Sequence, residues 1–283
     1  MTESSSTMTD DRPITRGQAR TALVLGSLGF FLITLDILIV NLALSRIGRE
    51  LRGGTTGQQW VIDGYTLTFA ALLLFAGNLA DRIGAKRAVG GGDALFLLAW
   101  ICCAIAPTLG VLIASGAVQG AAAAVMLPAS MALIREAFPE PRERAHALGI
   151  WAVGGAVAGA AGPLLGGLLT TIDWRLVFGI NIPACALMLA LLVRVLRSPR
   201  RPRPFDWAGQ ALSLVALTTL MFGLIEGGHD GFGSVAVVVA LVVAALALVA
   251  FVLVQARVPH PMLPLALLRP EGCGSRCSSA SPS

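Results

Sequence analysis

The sequence predicts an all-α integral membrane protein with eight transmembrane helices, and three observations carry that prediction. Hydrophobic residues make up 55% of the chain and charged residues 13%, whereas soluble domains carry about a quarter charged residues. Eight stretches of some twenty apolar residues follow one another, the length a helix needs to cross the hydrocarbon core. Charge and glycine gather in the short segments between them. Such segments must lie at the water interface, because irregular backbone cannot be satisfied in lipid.

The spans are placed at 21–44, 58–80, 88–107, 110–134, 145–169, 176–196, 207–225 and 234–255. Only Pro107-Thr-Leu-Gly110 separates the third from the fourth, so those two form a tight hairpin. The fifth is rich in glycine and alanine and therefore less hydropathic than its neighbours. The loops then set the orientation. With the N-terminus inside, Arg46, Arg49, Arg52 and Arg175 fall outside, and the other seventeen of the 21 Lys and Arg face the cytoplasm. The expected location is the cell membrane, multi-pass, with a cytoplasmic N-terminus.

Composition also excludes several functions. The net charge of +5 is no argument for nucleic acid, since the bases sit in short loops between apolar spans. No G-x-x-x-x-G-K-S/T loop is present to cradle a nucleotide phosphate, so the chain does not hydrolyse nucleotide itself, and any transport would have to be driven by an ion gradient. The chain reads as no enzyme and calls for no cofactor. Cys102, Cys103 and Cys185 lie in apolar runs and read as small core residues. Cys273 and Cys277 form no convincing metal or disulfide pattern. His146, His229 and His260 have no metal-ligand company.

The most informative segment is Gly77-Asn-Leu-Ala-Asp81-Arg82-Ile-Gly84-Ala-Lys86-Arg87, a charged, glycine-punctuated turn between the second and third spans. Its spacing closely resembles the loop signature of the major facilitator superfamily of secondary transporters. In that family the loop is a latch between the two halves of the transporter; the alternative is a simple headgroup anchor.

Asp36 is the sharpest candidate for chemistry. A carboxylate that deep in the outer half of the first span is costly, so it must face a cavity or a partner. The competing reading is a carboxylate near the helix end that reaches water. The run Leu35-Asp-Ile-Leu-Ile-Val-Asn41-Leu-Ala-Leu44 looks like the first-helix motif of the fourteen-helix drug:proton antiporters, a branch of the same superfamily. The resemblance implies that Asp36 couples protons or binds cationic substrate, with Asn41 offering an amide within the interior. Gln119-Gly-Ala-Ala-Ala-Ala-Val-Met-Leu-Pro128 resembles the family's fourth helix, whose motif is R-x-x-Q-G. Gly116 stands here in the arginine position, which puts coupling in doubt. Gln119 is then either a polar contact in the cavity or a helix-to-helix hydrogen bond.

In the fifth span Gly154, Gly159, Gly162, Pro163, Gly166 and Gly167 line up with small residues between them. Small residues let helix backbones approach closely, and proline permits a bend. The Gly-Pro-x-x-Gly-Gly core looks like the antiporter motif that separates exporters from importers. Asp173-Trp-Arg-Leu-Val-Phe-Gly-Ile-Asn-Ile-Pro183 resembles the family's lead-in to the sixth helix, with Trp174 and Arg175 as interface anchors. Asp63 and Tyr65 open the second span and face the substrate path from outside. Asp93 stands early in the third span, where an apolar residue is expected, and reads as snorkelling to the cytoplasm. Glu226 and Asp230 read as solvated loop charges.

The resemblance implies a cytoplasmic tail at 1–20, a six-helix transporter bundle at 21–196 and a basic cytoplasmic linker at 197–206. Two additional helices occupy 207–255, and a cytoplasmic tail runs from 256 to 283. The linker's Arg200-Arg-Pro-Arg-Pro204 sets topology and stiffens the connection; contact with anionic lipid is the other reading. Family members continue through six more helices, so the C-terminal bundle is expected to be missing. The change of character after Arg269 suggests a frameshift or truncation. The expected function is proton-coupled efflux of amphipathic or cationic drugs, with drug-like substrate, protons and the bilayer as partners. A second half-transporter or self-association would complete the cavity. The alternative is a non-transporting fragment or a membrane scaffold or partner subunit.

Overall fold

The structure, a computed structural model, describes residues 15–195, 198–199 and 206–257. The N-terminal tail up to Ile14, the stretch Arg200–Arg203 and everything beyond Arg257, including His260, Cys273 and Cys277, lie outside the described residues. So do the side chains of His229 and Asp230. Among the described residues the ordered elements are all helices, in the order α1 Arg16–Glu50, α2 Thr55–Ile83, α3 Ala85–Ala104, α4 Leu109–Ala137, α5 Pro141–Ile172, α6 Arg175–Gly179, α7 Asn181–Leu192, α8 Trp207–Asp230 and α9 Val235–Arg257.

The predicted spans are all present, and several helices run well past the apolar stretch that marked them. α1 is 35 residues long, about 52 Å at 1.5 Å per residue, so its ends stand clear of a 30 Å hydrocarbon core. Seven helical spans are long and apolar enough to cross a membrane, counting α6 and α7 as one; α2 makes eight when its two bent halves are taken together. The sixth expected span is broken at Ile180. Pro183, the third residue of α7, lacks the N–H that would bond to the Gly179 carbonyl, and its ring crowds that position.

Capping residues explain where the helices begin. Thr15 and Gln18 form a reciprocal capping box ahead of α1. Thr108 accepts a bond from Val111 N–H at α4, and Asp206 from Gly209 N–H at α8. Between α2 and α3 the chain turns on Gly84 alone, at φ +90°, a conformation side chains rarely adopt.

The chain divides into two compact units, 1–203 and 204–283. In the first, the broadest helix contacts are α2 with α4, α1 with α5, and α3 with α4. Its core is apolar and aromatic. Phe96, Trp100, Phe178 and Trp174 form a chain of edge-on and tilted rings with centroids 5.4 to 5.9 Å apart, tying α3 to α6. The second unit is an α8–α9 hairpin. Its ends are pinned where Gln255 Nε2 donates to Asp206 Oδ2 over 2.6 Å, both side chains buried.

Candidate functional site

α1, α2, α3, α4 and α6 enclose a small cavity lined by Asp36, Tyr65, Thr66, Cys103, Gly116, Gln119, Phe178 and aliphatic residues. Asp36 is 2% exposed, so it does not reach water along its helix. The Gln119 amide donates to both of its oxygens through long contacts of 3.4 and 3.5 Å. Gln119 Oε1 in turn accepts from the Cys103 thiol at 3.0 Å. The three side chains form one directed chain of hydrogen bonds from α3 through α4 to α1. No cationic residue lines the cavity. Among the described residues, the hydrogen-bond partner of the Asp36 carboxyl is the Gln119 amide.

Both sequence readings of Gln119 are true at once: it lines the cavity and bridges two helices. Gly116, one turn earlier on α4, borders the same cavity. A methyl group there would sit 3.7 Å from the Val61 carbonyl, an ordinary contact, so small side chains are tolerated. The cavity holds about 30 Å³, room for one or two waters. Pockets for drug-sized ligands are about ten times larger, so this conformation encloses the carboxyl but admits no drug.

Asn41 does not join the site. It is exposed, and its amide folds back on the Ile37 carbonyl at 2.6 Å. Five residues after Asp36 it points to a different face of α1, so the interior amide anticipated from the motif is supplied by Gln119 instead. Tyr65 reaches the cavity, whereas Asp63 is half-buried on α2. Cys103 was readable only as a small core residue; nothing in sequence reveals that it abuts Gln119. Asp93 does not snorkel. It is 1% exposed, buried in the interior of the first unit.

The charged turn after α2 grips the segment that follows α7. Lys86 N–H donates to Ser198 Oγ at 2.9 Å, and the Lys86 ammonium donates to the Val195 carbonyl. A Cβ at Gly84 would stand 3.0 Å from the Ser198 carbonyl. Gly77 has open space beside it, Asp81 is half-buried, and Arg82 and Arg87 are exposed.

The α5 glycines divide into two faces. Gly154, Gly162 and Gly166 abut α1, where added Cβ atoms would meet Ser27 O at 2.7 Å, Leu38 Cβ at 2.9 Å and Leu42 Cδ1 at 2.7 Å. Gly159 and Gly167 have nothing within 4 Å, and Pro163 is exposed. Gly154→Ala should therefore cost about 1–3 kcal/mol, since the obstacle is backbone. Gly159→Ala should stabilise the helix by up to about 1 kcal/mol. Thermal denaturation of the two purified variants checks the pair; equal melting temperatures would contradict the assigned faces.

A sequence-family model described as Major Facilitator Superfamily matches residues 26–268. The chain belongs to that superfamily. It is 39% identical to a methylenomycin A resistance protein of Streptomyces coelicolor, over 92% of this chain and 55% of the relative. It is 40% identical to the multidrug resistance protein Stp of Mycobacterium tuberculosis, over 87% and 47%. The drug efflux pump JefA of the same organism is 34% identical over 90% and 51%. The chain thus spans about half the length of the curated relatives it matches. Among solved structures, a mutant of the peptide transporter POT in complex with sulfate superimposes with a TM-score of 0.60 at 19% identity, covering 86% of this chain and 53% of the other. A bacterial homologue of the lysosomal transporter Spinster gives 0.57 at 19% identity, over 82% and 60%. These two support the fold. This superfamily member is a multi-pass membrane protein.

At the opposite end of the bundle from the charged turn, the superfamily's lead-in to the sixth helix builds a clamp. Trp174 Nε1 donates to Glu50 Oε2 at 2.7 Å, Arg175 pairs with Glu50 Oε1, and the Arg175 guanidinium lies 4.4 Å above the Trp174 ring. Arg46 caps the end of α5 by donating to the Thr170 and Ile172 carbonyls. Trp174 and Arg175 are thus interhelical ties from α6 to α1, beyond any anchoring role. Arg175 first, and then the Trp174 N–H, hold the Glu50 carboxyl below its usual value of 4.5. A depressed carboxylate contributes stability fully above its unfolded value and loses it as pH falls through the folded one. Thermal stability should accordingly drop on acidification below about pH 4.5. Glu50→Gln should flatten part of that acid limb while changing stability at neutral pH only slightly, because the pair is half-exposed. Melting curves between neutral and acid pH check this.

Proposed function

We propose that this chain supplies the proton-coupling half of an exporter for amphipathic, often cationic, drug-like compounds. The observation that supports it is Asp36, an interior carboxyl facing a cavity that no cationic residue lines and bonded to Gln119 among the described residues. A group in that setting is well suited to exchange a proton, or to meet a substrate cation, when the cavity opens. The relatives' names as resistance and efflux proteins point the same way. Alternating access rocks one repeat against another around a midplane site. In this reading a second half-transporter or a second copy of the chain forms the remaining wall. The location in this reading is the cell membrane, and the seventeen bases on one side support placing the basic end of the bundle and the N-terminus in the cytoplasm.

The test is extrusion of a fluorescent lipophilic cation from proteoliposomes holding the chain, with an imposed pH gradient and with the gradient collapsed by a protonophore. Gradient-dependent extrusion, from the chain alone or with a complementary half, is the expected result. Dye retention under every pairing would leave a non-transporting scaffold or partner subunit as the better account.

A further inference from the structure

Asp93 lies on α3, eight residues after Ala85 and so about 12 Å along the helix from the basic turn. It is 1% exposed, and neither of its oxygens has a conventional hydrogen-bond partner among the described residues. The polar group that touches it is the Cys185 thiol of α7, a weak donor. One turn before Cys185, on the same face of α7, the Asn181 amide nitrogen is buried without a partner, and so is Trp100 Nε1, seven residues after Asp93. The walls are tight. A Cβ at Gly92 would stand 2.7 Å from Met126 of α4, and one at Gly90 2.6 Å from Leu192 of α7.

Among the described residues an ionised carboxylate here has no cation to pair with. Of the elements packed on α3, α7 presents Cys185, and no charged group from α2, α4 or α6 acts on Asp93; Asp36 of α1 bears on the same Cys185 thiol. A bare buried charge of this kind is costly, more so than one S–H contact offsets. A proton satisfies the group at once, by making it neutral.

We propose that Asp93, closed over by the Cys185 thiol, is a second proton-binding site of the bundle, separate from Asp36 and nearer the basic end. Loss of its proton requires water or a cation to enter the α3–α7 seam, so the packing of those two helices is linked to proton occupancy. The site needs neither drug nor a second half, and it stands or falls independently of the role proposed for Asp36.

Infrared spectroscopy of the 283-residue chain in lipid reads it directly, through the carbonyl stretch of protonated carboxyl groups at neutral pH. The expected result is that Asp93→Asn removes one component of that stretch, that Asp36→Asn leaves this component in place, and that Cys185→Ala shifts its frequency without removing it. A stretch unchanged by Asp93→Asn would overturn the proposal. Should Asp93→Asn fail to fold, the Cys185→Ala spectrum decides alone: a shifted component supports the site, and superimposable spectra overturn it.

Discussion

Gly120→Ala should strongly destabilise the bundle, and Gly116→Ala, one turn away on the same helix, should leave its stability nearly unchanged. At Gly120 an added methyl carbon would stand 2.2 Å from the Tyr65 carbonyl oxygen and 2.3 Å from Thr68 Oγ1. The first of these is backbone of α2, which cannot rotate aside, so α2 and α4 must separate by roughly an ångström. That separation acts on the broadest helix contact of the unit. It also stretches the bond from Thr68 Oγ1 to the Ala117 carbonyl, now 2.8 Å, which is worth about 0.6 kcal/mol and up to about 1.7 kcal/mol in a membrane. Overpacking alone costs about 1–3 kcal/mol. Together they take a large share of a stability margin that is typically about 5–15 kcal/mol. At Gly116 the nearest atom to an added methyl is 3.7 Å away. Size-exclusion profiles and melting temperatures in detergent distinguish the two; a Gly120→Ala protein as stable as its Gly116→Ala counterpart would refute the close approach of α2 and α4.

Asp36→Asn should abolish gradient-driven dye extrusion and leave the fold unchanged. Asparagine fills the same volume, and its carbonyl can still accept from Gln119, so the change in stability should stay within about 1 kcal/mol. What it lacks is an exchangeable acidic proton. Extrusion by the variant, alone or paired with a second half, should match vesicles that contain no transporter, with and without the pH gradient. Asp36→Glu keeps the acid but adds a methylene to a cavity of about 30 Å³. It should retain only part of the activity and lower the melting temperature. Full gradient-dependent extrusion by Asp36→Asn would remove Asp36 from the coupling role and move attention to other carboxyls.

The membrane class and its spans were legible because hydrophobic length is a property of the chain itself. Lipid imposes one solution on a run such as 21–44 or 234–255, a helix that satisfies its own backbone. Gly84 was legible only as punctuation of a charged turn; that the turn is a single residue at positive φ, which glycine supplies, came from the structure. The break at Ile180 follows from Pro183, yet the unbroken apolar run around it concealed the split.

Pairing across helices was not written along the chain. Asp36 and Gln119 are 83 residues apart, and Cys103 belongs to a third helix. Their meeting depends on how far each helix rotates and slides against its neighbours, which is set by close approaches such as Gly120 on Tyr65 and Gly154 on Ser27. The same geometry turned Asn41 outward and Asp93 inward, against the expectation for each. Sequence alone determined that the chain is helical, lies in a membrane and carries a costly acid in its first span, because each of these follows from solvation of residues near one another along the chain. Tertiary structure decided which polar groups face that acid and which glycines touch another helix, because those are distances between segments far apart in sequence.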